Sequence, residues 1–126
     1  MENLLKFYIN GEWVAPLSDA TMPVLNPATE KQIGTVALGN EADVDRAVAA
    51  ASTAFEEFSQ TSKDGRLALL RKVRAITEAR MEELAQAMRM EMGAPITMSR
   101  DVQADAAVGH LDGFITALEE LEERLK

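Results

Sequence analysis

Residues 7–14 read Phe7-Tyr8-Ile9-Asn10-Gly11-Glu12-Trp13-Val14, and this octet decides how the chain begins. Apolar side chains flank Asn10-Gly11, the pair that best tolerates the positive φ angles of a two-residue turn, so residues 6–15 are predicted to form a β-hairpin. Further on, Met22-Pro23-Val24-Leu25 and Gln32-Ile33-Gly34-Thr35-Val36 predict a second extended pair, joined by the turn-rich Asn26-Pro27-Ala28-Thr29-Glu30. The two prolines limit the first of these strands to an edge or an irregular path.

From Asn40 the apolar period changes from two to that of a helix. Val44, Ala47, Val48, Ala51, Phe55 and Phe58 recur at three, four and seven and form one stripe. Asn40 is the expected N-cap, with Asp43 in the first turn favourable to the helix dipole. The polar stretch 59–63 is expected to be a loop. Leu67, Leu70, Val73, Ile76, Met81, Leu84, Met88 and Met92 then mark a second helical region up to Gly93, with a bend near 77–80. Pro95 stops that helix and opens the next. In the last segment Ala104, Ala107, Leu111, Phe114, Leu118, Leu121 and Leu125 alternate by three and four, the spacing of a heptad seam. The four-apart pairs Glu120/Arg124 and Glu122/Lys126 extend the expected helix almost to Lys126. The fold class is therefore α+β: a β-hairpin region over 1–39, then a helical region over 40–126 built as a bundle of three to four amphipathic helices, together one incomplete or compact domain.

At 126 residues and a formal net charge of -8, the chain is the size of one domain and repels phosphate backbones and anionic membranes. Neither nucleic acid nor a membrane is an expected partner. The absence of cysteine excludes disulfides, thiolate metal sites and a cysteine nucleophile, and it favours a reducing, cytoplasmic location. Charge is uneven: residues 1–62 hold 3 basic and 9 acidic side chains, whereas 63–100 hold 8 and 5.

Signatures of chemistry are sparse. The seven glycines never form a G-x-G pair, so no dinucleotide fingerprint or phosphate loop is expected. His110 is the one histidine; Asp105 and Asp112 lie off its helical face, so a packed or solvent-facing role is expected rather than a triad or zinc site. Gly109-x-x-x-Gly113 reads as a place where another element nears the backbone. Arg66, Arg71, Lys72 and Arg74, followed by Glu78, Glu82 and Glu83, read as a solvated face rather than an anion site.

The order of these features resembles the N-terminal part of the NAD(P)-dependent aldehyde dehydrogenase superfamily. The resemblance rests on Phe7 to Val14, on Asn26 to Glu30 with Ile33-Gly34, and on Asp43-Val44-Asp45-Arg46-Ala47-Val48-Ala49-Ala50-Ala51 with Ala54-Phe55. Arg66 with Leu69-Leu70-Arg71-Lys72-Val73, then Glu83-Leu84-Ala85, and Glu91-Met92-Gly93-Ala94-Pro95 continue it in the same order. Met92 and Ala94 surround the shared Gly93 and Pro95 where the family commonly has Glu-Thr-Gly-Lys-Pro.

The resemblance implies a piece of a larger α/β fold, cut before the strands that hold the dinucleotide, the attacking cysteine, the glutamate base and the oxyanion asparagine. No catalytic and no cofactor-binding residue is expected here; the cofactor, NAD or NADP, belongs to the complete parent. Where family members hold a monovalent cation, the matching positions are Val24, Leu25 and Glu91, whose oxygen donors suit a hard ion. The expected function is that of a non-catalytic segment of an enzyme oxidising an aldehyde to a carboxylic acid, partnered by the missing remainder of the dehydrogenase or by a copy of itself. The alternative is a stand-alone helical interaction or self-assembling module, its regular amphipathic ending being an engineered terminus or a natural truncation.

Overall fold

The structure, a computed structural model, describes residues 4–121. Its packing divides at 60/61 into two compact units, Met1–Gln60 and Thr61–Lys126. Secondary structure changes from strand to helix at Asn40, so the first helix packs with the hairpins and the remaining helices form a unit of their own.

In the first unit, β1 (Phe7–Ile9) and β2 (Glu12–Val14) pair antiparallel in the register Phe7↔Val14, Tyr8↔Trp13 and Ile9↔Glu12. Asn10 and Gly11 lie at φ 54° and 81°, the left-handed values that a two-residue turn needs to match the twist of its strands. A second ribbon joins β3 (Thr21–Asn26) to β4 (Lys31–Ala37). Its turn is closed by Asn26, whose side chain accepts from Ala28 N at 2.9 Å and whose carbonyl accepts from Glu30 N at 2.8 Å. The irregular path expected of β3 is a register slip between Val24 and Leu25: Val24 faces Gly34, whereas Leu25 faces Gln32. Pro23 is accommodated because a two-stranded ribbon has only edge strands.

Helix α1 (Glu41–Phe58) starts with a reciprocal capping box. Asp43 N donates to Asn40 Oδ1 at 3.1 Å, and Asn40 N donates to Asp43 Oδ2 at 3.2 Å, so two otherwise orphaned amides are satisfied. The predicted apolar stripe is present, but Val44, Val48 and Phe55 are each about 60% exposed. Among the described residues the first unit leaves that face uncovered.

In the second unit, α2 (Lys63–Ala79) is capped by Ser62, whose hydroxyl accepts from Gly65 N at 3.1 Å. The bend is a true break: Arg80, at φ -110° and ψ 16°, separates α2 from α3 (Met81–Met92). Gly93 ends α3 in the left-handed conformation at φ 71°, where a side chain would be strained. Pro95 then precedes one turn, α4 (Ile96–Met98), a π-helical stretch (Ser99–Ala104) and α5 (Asp105–Glu120). The core consists of Leu67, Ala85, Ala104, Val108 and Ile115. Here α2 packs on α5, and α3 packs on the π-helical stretch.

Three expectations for the last helix are corrected. The buried line runs through Ala104, Val108 and Ile115, with Leu111 and Leu118 half-buried, whereas Phe114 is 66% exposed. The spacing is still alternately four and three, but Val108 and Ile115 are buried where Ala107, itself half-buried, and Phe114 were expected. The helix also stops at Glu120, with Leu121 extended at ψ 111°. Lys63 Nζ donates to the carbonyls of Glu119 at 2.7 Å and Leu121 at 3.1 Å, satisfying acceptors at the described end of the helix. Leu125 and both four-apart charge pairs involve residues outside the described ones. Finally, nothing lies within 4 Å of where a Cβ would sit on Gly109 or Gly113, so no described element nears the backbone there.

Candidate functional site

Asp43 is the most constrained charged side chain in the first unit. It is 4% exposed, and its carboxylate accepts from three directions: Leu17 N at 2.9 Å, Asn40 N at 3.2 Å and the Arg46 guanidinium at 3.3 Å. Arg46 in turn donates to the Ala15 carbonyl at 3.0 Å. One carboxylate thus ties the 15–17 segment to the start of α1. The sequence showed Asp43 only as a favourable first-turn charge; its long-range partner is a backbone amide, which no side-chain pattern announces. Both carboxylate oxygens have structural partners, two donors on Oδ1 and one on Oδ2.

In the second unit two arginines of α2 are neutralised across the helix pair. Arg71 meets Glu119 at 2.6 Å, and Arg74 meets both Asp112 at 2.6 Å and Glu78 at 2.8 Å. Those hydrogen bonds raise the affinity of the Arg74 guanidinium for its proton, and they place carboxylates where an anion would have to sit. Arg100 holds Glu82 in a two-pronged pair at 2.8 and 2.9 Å, with Gln86 donating to the same carboxylate at 2.8 Å. These bonds, Arg100 first, draw the Glu82 carboxyl down from its ordinary 4.5 to about 2. A depressed carboxyl stabilises the fold above its unfolded pKa and loses that contribution as pH falls through the folded value. Glu82→Gln is therefore expected to remove this residue's share of the acid sensitivity between about pH 4.5 and pH 2, read by carboxyl NMR titration of the parent and acid unfolding of both proteins.

His110 is exposed on α5. No three His, Cys, Asp or Glu side chains cluster as a metal site among the described residues. Val24 and Leu25 stand at the register slip of β3, while Glu91 is exposed in the last turn of α3. Their oxygens are hard donors suited to a monovalent cation, but they are divided between the two units and neither unit holds the set. Ser99 Oγ and Gln103 Oε1 are buried on the π-helical stretch without a hydrogen-bond partner. No described helix is long and apolar enough to cross a membrane.

The order of elements, two β-hairpins followed by helices, is the decisive observation. The sequence profile of the aldehyde dehydrogenase family matches residues 13–126. The chain belongs to the aldehyde dehydrogenase family. A 3-succinoylsemialdehyde-pyridine dehydrogenase of a Pseudomonas species is 46% identical over 118 residues, which are 93% of this chain and 24% of that protein. Among solved structures, a mutant of aldehyde dehydrogenase C from Pseudomonas syringae, in complex with NAD+ and octanal, superposes with a TM-score of 0.93 at 43% identity. That match covers 95% of this chain and 25% of the other. The aldehyde dehydrogenase of Bartonella henselae gives 0.91 at 36% identity, covering 96% and 26%. The chain therefore spans about a quarter of the length of the dehydrogenases it matches, and its hairpins and helices follow those of these family members.

Proposed function

We propose that this aldehyde dehydrogenase segment is architectural and non-catalytic by itself. In this reading it supplies the hairpins and helices on which the cofactor-binding and catalytic parts of an NAD(P)-dependent, aldehyde-oxidising cytoplasmic enzyme assemble. The observation that carries the reading is coverage: nearly the whole chain matches about a quarter of each relative. Two features support it. Aldehyde oxidation in this family proceeds through attack by a cysteine thiolate, and the chain contains no cysteine. The apolar stripe of α1 is exposed, as expected of a face that the remainder of a dehydrogenase covers. Under the same reading Val24, Leu25 and Glu91 contribute oxygens to a cation site that the remainder completes.

A second reading, assembly with a copy of itself, rests on Phe114, a large aromatic side chain two-thirds exposed on α5. Calorimetric titration of the chain with NAD and with NADP tests the first reading. No saturable heat is expected, because no glycine-rich turn frames a phosphate at a helix start. Specific micromolar binding of either dinucleotide overturns it.

A further inference from the structure

The turn of the first hairpin has a reactivity as well as a shape. Where glycine follows asparagine or aspartate, its amide nitrogen can attack the preceding side-chain carbonyl carbon, because no side chain on the glycine hinders the approach. The chain has three such dipeptides, at 10–11, 64–65 and 112–113. The fold treats them differently. Gly65 N is committed to the Ser62 hydroxyl at 3.1 Å. Gly113 N lies inside α5, where the helix ladder holds it, and Asp112 is itself bound by Arg74 at 2.6 Å. Gly11 N stands between the two strands, and no described group accepts a hydrogen bond from it. Of the other described asparagines, Asn26 precedes Pro27, which has no N–H, and Asn40 is fixed in its capping box ahead of Glu41.

The surroundings of Asn10 leave it room to react. It is exposed, and nothing lies within 4 Å of where a Cβ would sit on Gly11. The ribbon that holds it has three residues in each strand and is not joined to the second ribbon. So short a ribbon opens at its turn for little free energy, which frees Asn10 to rotate towards Gly11 N. We propose that Asn10 is a site of spontaneous modification, converting to aspartate and isoaspartate through a succinimide formed with Gly11 N. Gly11 N gives its proton to a solvent base and bonds to Asn10 Cγ, while the side-chain nitrogen takes up a proton and leaves as ammonia. Water then opens the ring. Breaking the bond from Cγ to N gives aspartate on an unchanged main chain. Breaking the bond from the α-carbonyl carbon to N gives isoaspartate, whose main chain runs through Cβ and Cγ. The added methylene lengthens a two-residue turn matched to the register Ile9↔Glu12. Isoaspartate therefore displaces the Tyr8–Trp13 pair, whose ring centroids lie 5.3 Å apart and which are the chain's one tyrosine and one tryptophan.

The test ages the folded chain in mildly alkaline buffer and maps its peptides by mass spectrometry, with an isoaspartate-specific carboxyl methyltransferase marking isoaspartate. Asn10 is expected to convert at least about tenfold faster than Asn26 and Asn40, since neither of those has a free neighbouring amide in the folded state. Isoaspartate should appear at position 10 before Asp64 or Asp112, and the near-ultraviolet circular dichroism of the Tyr8–Trp13 pair should fall in step with it. Asn10→Gly keeps a dipeptide suited to the same turn but has no side-chain amide, so it should gain no mark at position 10 and keep its signal. Asn10 intact in the folded chain but converted in urea overturns the proposal. So does conversion at Asn26 or Asn40 as fast as at Asn10, isoaspartate first at Asp64 or Asp112, or an equal loss of signal in Asn10→Gly.

Discussion

Asp43→Ala is expected to cost the first unit about 2–4 kcal/mol, measured as a fall in the midpoint of chemical denaturation followed by helical circular dichroism. The carboxylate is buried and satisfies two backbone amides, Leu17 N and Asn40 N, besides the Arg46 guanidinium. Truncation leaves all three donors without their acceptor and breaks one half of the capping box that starts α1. Asp43→Asn, which keeps one acceptor oxygen, should fall between the parent and the alanine variant. An alanine variant within about 0.5 kcal/mol of the parent, the range of an ordinary surface change, would show that the 15–17 segment is not held by this residue.

The second large effect concerns α5. Ile115→Ala should destabilise the second unit by about 2–4 kcal/mol, the usual cost of emptying a buried aliphatic site. Phe114→Ala, although it removes the larger side chain, should lie within about 0.5 kcal/mol of the parent because the ring is largely in solvent. The same denaturation experiment reads both. The opposite order would mean that the face predicted from Ala107 and Phe114, rather than that of Val108 and Ile115, meets α2.

These two predictions mark where the sequence was legible. Local rules succeeded wherever the determining partner lies within a few residues. Asn10-Gly11 set a hairpin, Asn40 with Asp43 set a helix start, and Gly93 followed by Pro95 set a helix end. They succeeded less well where the outcome depends on a distant neighbour. The seam of α5 has two nearly equivalent apolar lines, and the choice between them is made by packing on α2. The described end of α5 is capped by Lys63, 56 residues from the Glu119 carbonyl that accepts its hydrogen bond. Arg71 and Arg74 read as part of a solvated face of mixed charge and Arg71 is exposed, but their partners Glu119 and Asp112, 48 and 38 residues away, are not announced by any local pattern. The Asp43 network was hidden for the same reason: its acceptor is visible in the sequence, but its longest-range donor is the amide of Leu17. The family resemblance was legible because it is carried by the order of short local motifs, and that order survives without any knowledge of packing.

The exposure of the α1 stripe links the fold to the proposed role. A helix that begins with a complete capping box yet leaves valines and a phenylalanine about 60% exposed is stabilised locally at its start and uncovered along its length. In a dehydrogenase about four times as long, such a face has somewhere to go.

The central claim, that this segment is architecture rather than catalyst, is tested most directly by following NADH or NADPH formation when the purified chain is given an aldehyde with NAD+ or NADP+. The account predicts a rate indistinguishable from that of the mixture without protein. Saturable, aldehyde-dependent reduction of either dinucleotide by the chain alone would contradict it.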